Sequence, residues 1–337
     1  MTKIKQIFIV GSSRSGTTMM GRILGNHPSI FTFKELHFFG TIWTNNSESN
    51  LDRKQQIDLL SRLLCIEKNG LFQQDNVLDF NEIASDILAN KNVSSPLSIY
   101  ELFLAKITSD HKCFIACDQT PKNMYYLNEI LSYFPNAKVI NMVRDQRDVL
   151  LSQKNKWKRR FLGASAIPLS EAIRSYINYH PILTATVWNS SLEYSSKFTN
   201  NSRVRVVRFE ELLVEPIRIV KELCQFLEID FNQEMLKVPV IGSSTQQDFK
   251  NQLIIDSSKM EKWKNGGLNS AEIYLSQLVT NSMMKKFKYD VEMFRLPPIL
   301  TLFYLISFPI KLILAFILNI SRMGNIVEVM KKRFFVK

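Results

Sequence analysis

The amino-acid sequence predicts an α/β protein: a central parallel sheet flanked by helices, followed by an apolar helical tail. Three observations predict it. An apolar, β-branched run passes straight into a Gly/Ser-rich loop and then into a helical pattern, in "FIVGSSRSGTTMMGRIL" at residues 8–24. Further short apolar runs alternate with segments of helical periodicity, which is how a parallel sheet is built. The chain has 337 residues, 45% apolar and 22% charged, ample for a folded core and unlike a disordered chain.

Residues 4–10 read as a fully buried strand of a parallel sheet. Residues 17–25 read as the helix behind it. "NHPSIFTFKELHFFG" reads as an aromatic-rich loop, with His27 a turn residue closing the first helix. Segments 52–65, 81–90 and 97–108 look helical between Asn/Ser-rich turns. "KCFIAC" (112–117) is a second strand, and 123–134 an amphipathic helix ended by Pro135. Residues 138–143 are a third strand, followed by a helix at 147–156. Residues 203–209 are a fourth strand, followed by a helix at 216–227. No internal repeat or low-complexity segment is visible.

The sequence divides into residues 1–295 and a tail, 296–337. From Leu296 to Ile320 the tail is apolar, with polar or small residues at 301, 304, 307, 311, 315 and 319. That spacing is one narrow polar stripe on a helix. The run is nearly long enough to span a bilayer, but Pro309 and Lys311 interrupt it and "SRMGNIVEVMKKRFFVK" follows. This pattern suits a helix lying in an anionic membrane interface, or one docked on the domain or on a second subunit. No small-residue cleavage site follows the first apolar run, and four cysteines in no redox or metal pattern suit a reducing compartment. A cytoplasmic protein, peripheral on the membrane, is expected.

The net charge of +12 favours anionic partners. "GSSRSGTT" supplies the specific site for one. It places backbone N–H groups of residues 13–18 at a helix start, where the helix dipole favours an anion. Gly11 and Gly16 have Walker-loop spacing, but Thr17 stands where the Walker lysine belongs, and a cation, Arg14, sits inside the loop. A small-molecule kinase is therefore disfavoured.

This loop resembles the 5′-phosphosulfate loop of sulfotransferases that use 3′-phosphoadenosine 5′-phosphosulfate (PAPS), in the arginine-bearing form of the carbohydrate and tyrosylprotein branches. "VINMVRDQRDVLLSQ" resembles the family's second signature: Arg144 ends a strand and Ser152 lies eight residues on. "CDQTPKNM", "VRFEELLVEP" and "SSKMEKWKNGGL" resemble later family segments, so the likeness covers about residues 5–270. It implies a P-loop-like fold, PAPS as donor and adenosine 3′,5′-bisphosphate (PAP) as product. It further implies Ser13, Arg14, Ser15, Gly16, Thr17 and Thr18 around the 5′-phosphosulfate, and Arg144 with Ser152 at the 3′-phosphate. The chain departs from the pattern at Gln119, where lysine is usual, and at Phe209, where tyrosine is common.

Sulfuryl transfer needs positioning, positive charge and a base. Glu35 matches the position of the branch's catalytic glutamate, with Arg14 as the catalytic cation. Burial among Phe31, Phe33, Phe38 and Phe39 is expected to raise its pKa towards that of a useful base. The alternatives are pairing of Glu35 with Lys34, and His37 as the base. No Asp/Glu/His cluster has metal-ligand spacing, so no metal is expected. The acceptor expected is a carbohydrate or glycolipid hydroxyl rather than nucleic acid. A protein tyrosine or another small hydroxyl is the alternative, and the Gln119 departure leaves room for a non-catalytic nucleotide-binding protein. "KNKWKRR" (154–160) reads either as a rim of the cleft or as a solvated helix end.

Overall fold

The computed structural model describes residues 4–320, apart from residues 46, 48, 72, 73, 75, 243, 245, 246 and 256, together with residue 328. Five parallel strands form the sheet: β1 (Lys5–Gly11), β2 (Ile30–Thr32), β3 (Ile115–Asp118), β4 (Lys138–Val143) and β5 (Val204–Arg208), in the order β2-β3-β1-β4-β5. β1 is central, pairing with β3 from Lys5↔Ile115 and with β4 from Ile7↔Lys138. Six of its seven residues are buried, as a strand covered on both faces must be.

The period of two sorts β1 between two cores. Phe8 and Val10 join a cluster with α2 (Arg53–Asn69) and α4 (Pro96–Asp110). Ile7 and Ile9 join a cluster on the other face with α1 (Thr17–Gly25) and α10 (Pro216–Leu227). Each of these fully buried aliphatic or aromatic side chains contributes roughly 1.5–3 kcal/mol. α2 starts where Asp52 and Gln55 form a capping box, and α4 where Ser95 and Ser98 form one ahead of Pro96.

The elements expected from the pattern are present, with shifted edges. β3 begins at Ile115 rather than 112, because Lys112 turns at φ 58 and the N–H of Cys113 returns to Thr108 O. The helix expected at 123–134 is a 3₁₀ turn (Pro121–Tyr126) followed by α5 (Leu127–Tyr133), since Asn123 is held by Asp118. The aromatic loop contains β2. Four helices were not expected: α7 (Leu169–Ile177), α8 (Pro181–Ser196), α9 (Phe209–Val214) and α11 (Ser270–Lys286).

The tail forms α12 (Thr301–Asn319), with a mean hydropathy of 2.2 over its most apolar window. Its polar stripe faces the domain. Tyr304 OH accepts from Asn269 Nδ2 (3.1 Å), Lys311 Nζ donates to Ile177 O (3.3 Å), and Asn319 Oδ1 accepts from Arg174 Nη1 (2.6 Å). Pro309 lies inside the helix and has no N–H for Leu305 O; one residue earlier, His180 Nε2 lies 3.0 Å from Tyr304 O and ties the helix to α8. Most of the basic segment after Ile320 lies outside the described residues.

Candidate active site at the carboxyl edge of the sheet

The loop after β1, the loops after β2 and β3, the start of α6 (Gln146–Lys154) after β4 and the start of α9 after β5 all lie at the carboxyl edge, where the strand order reverses at β1. A cleft of about 300 Å³ opens there.

Two glycines shape the loop. A Cβ on Gly11 would lie 2.4 Å from Met142 O, so only glycine lets β1 run this close to the end of β4. Gly16 sits at φ 96 as the N-cap of α1, with the Phe209 ring against its Cα. Arg14 between them is left-handed at φ 75, and so is His37 at φ 51. Such residues cost about 1–3 kcal/mol each and persist where the surroundings impose them.

Ser13, Arg14, Gly16, Thr17 and Thr18 line the cleft with Glu35, Arg144 and Ser152. Ser15 does not: its side chain is fully buried, and its N–H donates to Ser12 O (3.1 Å). Its hydroxyl is buried without a partner among the described residues. Arg14 Nε donates to Ser152 Oγ (2.9 Å) and Arg14 Nη2 to Gly242 O (2.8 Å). Arg144 donates to Arg14 O (3.3 Å) and to Lys259 O (2.8 Å), and its guanidinium lies 4.6 Å above the Phe209 ring. Its Nε is buried without a partner among the described residues. Trp188 Nε1 donates to Arg144 O (3.0 Å) and fixes the strand end.

The cleft is electropositive. Arg14, Arg22, Arg144, Arg159, Lys259 and Lys262 line it, against Glu35 and Asp148. Burial and the charges of Arg144 and Arg159 push Arg14 down to about 10. Such crowding of cations favours a multiply charged anion.

Glu35 accepts from His37 Nε2 (3.2 Å) and keeps 41% of its side chain open to the cleft. Burial acts to raise its pKa. The hydrogen bond and charge of His37, with Lys156 and Lys122, outweigh it and hold the carboxyl below the ordinary value. This corrects the expectation of a raised value: the aromatic neighbours point into the core, and the faces turned to the cleft are cationic. Lys34 turns away, donating to Lys68 O. The Glu35 loop is anchored by His37 N to Thr120 Oγ1 (3.3 Å), and Thr120 by buried Asp118, which also binds Tyr100 and Asn123.

Gln119 does not line the cleft. Its Nε2 donates to Phe33 O (2.9 Å) and its Oε1 packs on Gly21. A cation of the 154–160 run lies nearby instead. Burial and the charges of Arg14 and Arg174 push Lys156 down to about 8, while Glu35 acts to raise it. The 154–160 run is thus mostly integrated: Lys154 pairs with buried Glu272 (2.8 Å) and Arg159 forks onto Asp248 (2.8 and 3.1 Å). Its charge density was visible in the sequence, its direction was not. His27 is a packing residue, joined to Asp230 O (3.1 Å) and to Ser29 N.

The fold and the cleft define a parallel α/β protein with a glycine-turned anion cradle at its carboxyl edge. Residues 6–233 match the model of the Sulfotransferase family, and the chain belongs to that family. A protein of Aquifex aeolicus (strain VF5) is 27% identical over 268 residues, covering 77% of this chain and 30% of that protein's length. Protein-tyrosine sulfotransferase 1 of Danio rerio is 24% identical over 297 residues, covering 84% of this chain and 72% of the zebrafish protein. The sulfotransferase domain of the Synechococcus PCC 7002 olefin synthase superposes with a TM-score of 0.53 at 21% identity, covering 86% of this chain and 96% of that one.

Proposed function

We propose that the chain moves the sulfuryl group of PAPS to a hydroxyl of a carbohydrate or glycolipid acceptor. The observation that carries this reading is the convergence of Arg14 and Arg144, from two different strand ends, on one cation-rich cleft. Ser13, Thr17, Thr18, the loop amides and Arg14 hold the phosphosulfate end, and Arg144 with Ser152 holds the 3′-phosphate. The residues fit such a ligand: Arg144 has a buried donor to spare, and Ser13, Thr17 and Thr18 line the cleft around the N-terminus of α1.

Glu35 takes the acceptor proton as the acceptor oxygen bonds to sulfur and the sulfur–oxygen bond to the 5′-phosphate breaks, leaving a sulfate ester and PAP. His37 orients the carboxylate. Arg14 and Lys156 add positive charge beside it, Lys156 in place of the lysine that the family resemblance led us to expect at position 119. In this reading residues 1–295 are the transferase, and residues 296–337 hold it at an anionic, cytoplasmic membrane face. A protein tyrosine is the second reading, favoured by the relatives named protein-tyrosine sulfotransferase.

Calorimetric titration with PAP and with ATP·Mg²⁺ tests the donor site: PAP binds and ATP does not. Transfer of labelled sulfate from PAPS to glycan, glycolipid and tyrosine-peptide panels tests the acceptor. Absence of PAP binding overturns the proposal.

A further inference from the structure

α12 is built inside out for a water-soluble protein. Its polar stripe is spent on contacts to the domain, so its apolar side faces outward. Phe303, Ile306, Ile310, Ile313 and Ile317 recur every three or four residues, with Leu302 beside the first, and each is between 59% and 66% exposed. A soluble domain buries such a stripe.

The outward face does not end with the helix. α12 packs on α7, where Lys311 lies over the Tyr176 ring (5.8 Å), and α7 exposes Leu169, Ile173 and Tyr176 at helical spacing. The Trp157 ring meets Tyr176 and Phe161 edge-on, at 5.9 and 6.2 Å, and Phe161 is 63% exposed. One residue before Trp157 stands Lys156, whose charged neighbours include Arg14 and Glu35 on one side and Arg174 and Glu171 of α7 on the other. The apolar surface therefore runs from α12 across α7 to the acceptor side of the cleft.

Charge decides what covers it. No Asp or Glu occurs from 293 to 327, while Arg295, Lys311 and Arg322 fall there and Lys331, Lys332, Arg333 and Lys337 follow. A second copy would bring two such cation-rich segments together, since a two-fold contact sets each patch against itself. An anionic leaflet complements both the apolar face and the cations that flank and follow it in sequence. The contacts of Tyr304, Lys311 and Asn319 to the domain keep the helix flat against it rather than across a bilayer.

We propose that the α12–α7 face and the turn at 157–161 dock on an anionic bilayer, so that the cleft opens at its surface and takes the headgroup hydroxyl of an amphiphile. The docking stands apart from the sulfuryl-transfer reading; the choice of acceptor rests on it. The test uses the full chain with vesicles of phosphatidylcholine alone or with 30% phosphatidylglycerol, in flotation. We expect binding to the anionic vesicles, reduced about tenfold or more by Ile306→Glu with Ile310→Glu, with PAP affinity unchanged. Leu78→Glu, at an exposed site elsewhere, has no effect. No flotation, or flotation that the double variant leaves intact, overturns the docking. So does a concentration-dependent dimer, seen by light scattering, that the double variant dissolves. The acceptor arm compares sulfation of a long-chain and a short-chain alkyl glycoside in those vesicles. A preference for the long chain that the double variant abolishes supports amphiphile delivery, and equal rates overturn it. Loss of transfer to both, with PAP binding and flotation intact, counts against the carbohydrate reading alone.

Discussion

Replacing Gly16 by alanine tests the coupling between the phosphate loop and the arginine beyond it. The added methyl meets two obstacles. The backbone stands at φ 96, where an L side chain costs roughly 1–2 kcal/mol. The new Cβ would also lie 2.3 Å from Cδ2 and 2.6 Å from Cε2 of Phe209, an overpacking worth roughly 1–3 kcal/mol. We expect a loss of about 2–5 kcal/mol in urea unfolding, with an unchanged slope. Phe209 carries the Arg144 guanidinium on its other contact, so a displaced ring also weakens PAP binding, by about tenfold for 1–1.5 kcal/mol of lost stacking. A double-mutant cycle with Phe209→Leu separates the two terms. In that background Gly16→Ala keeps its backbone cost and loses the steric one, a coupling of about 1–3 kcal/mol. Equal costs in both backgrounds would refute the steric argument, and a cost under about 1 kcal/mol in the parent would refute both terms.

Glu35→Gln is expected to bind PAP as the parent does and to lose about 10²–10⁴-fold in turnover, by stopped transfer of labelled sulfate. The pH–rate profile is expected to fall as pH rises through about 8, because Lys156 then loses its charge. Lys156→Met removes that limb and lowers turnover about 10–100-fold, and Lys156→Arg moves the limb upward. On the acid side the rate falls only below the ordinary glutamate range, since Glu35 must be ionised and His37 holds its pKa down; His37→Ala shifts that limb up. Arg144→Ala is expected to weaken PAP binding by about 2–4 kcal/mol in calorimetry, more than Arg144→Lys does, because a lysine cannot fork onto a phosphate.

Legibility in the sequence followed how local each signal was. The strand, loop and helix at 5–25 share one short segment, and their pattern named Arg14 and the cradle. Arg144 and Ser152 were visible for the same reason, lying on one strand end and the helix after it. β2 has three residues and hides in an aromatic loop. α8 and α11 pack against each other and against α6, so apolar residues fall on more than one face and blur the helical period. The burial of the Ser15 side chain was not legible, because composition carries no direction. The Glu35 environment was half legible. Its aromatic neighbours are adjacent in sequence, whereas Lys156, which helps set its charge, comes from 121 residues away. The polar stripe of α12 was readable, but which way it turns depends on partners at 174, 177 and 269.

The backbone carbonyls of Gly242 and Lys259 deserve a last consequence. Both belong to the segment that follows the short antiparallel strand pair β6 (Pro239–Val240) and β7 (Phe249–Leu253), or connects its members, and each occupies a guanidinium that the proposed nucleotide would need. The clasp is shared, so letting go at one end slackens the other. A fragment carrying a single phosphate bears the full cost of unfastening and recovers half the reward. Joining two such fragments through one adenosine should therefore yield an affinity greater than their separate strengths multiply to, with the excess measuring how stiff the clasp is.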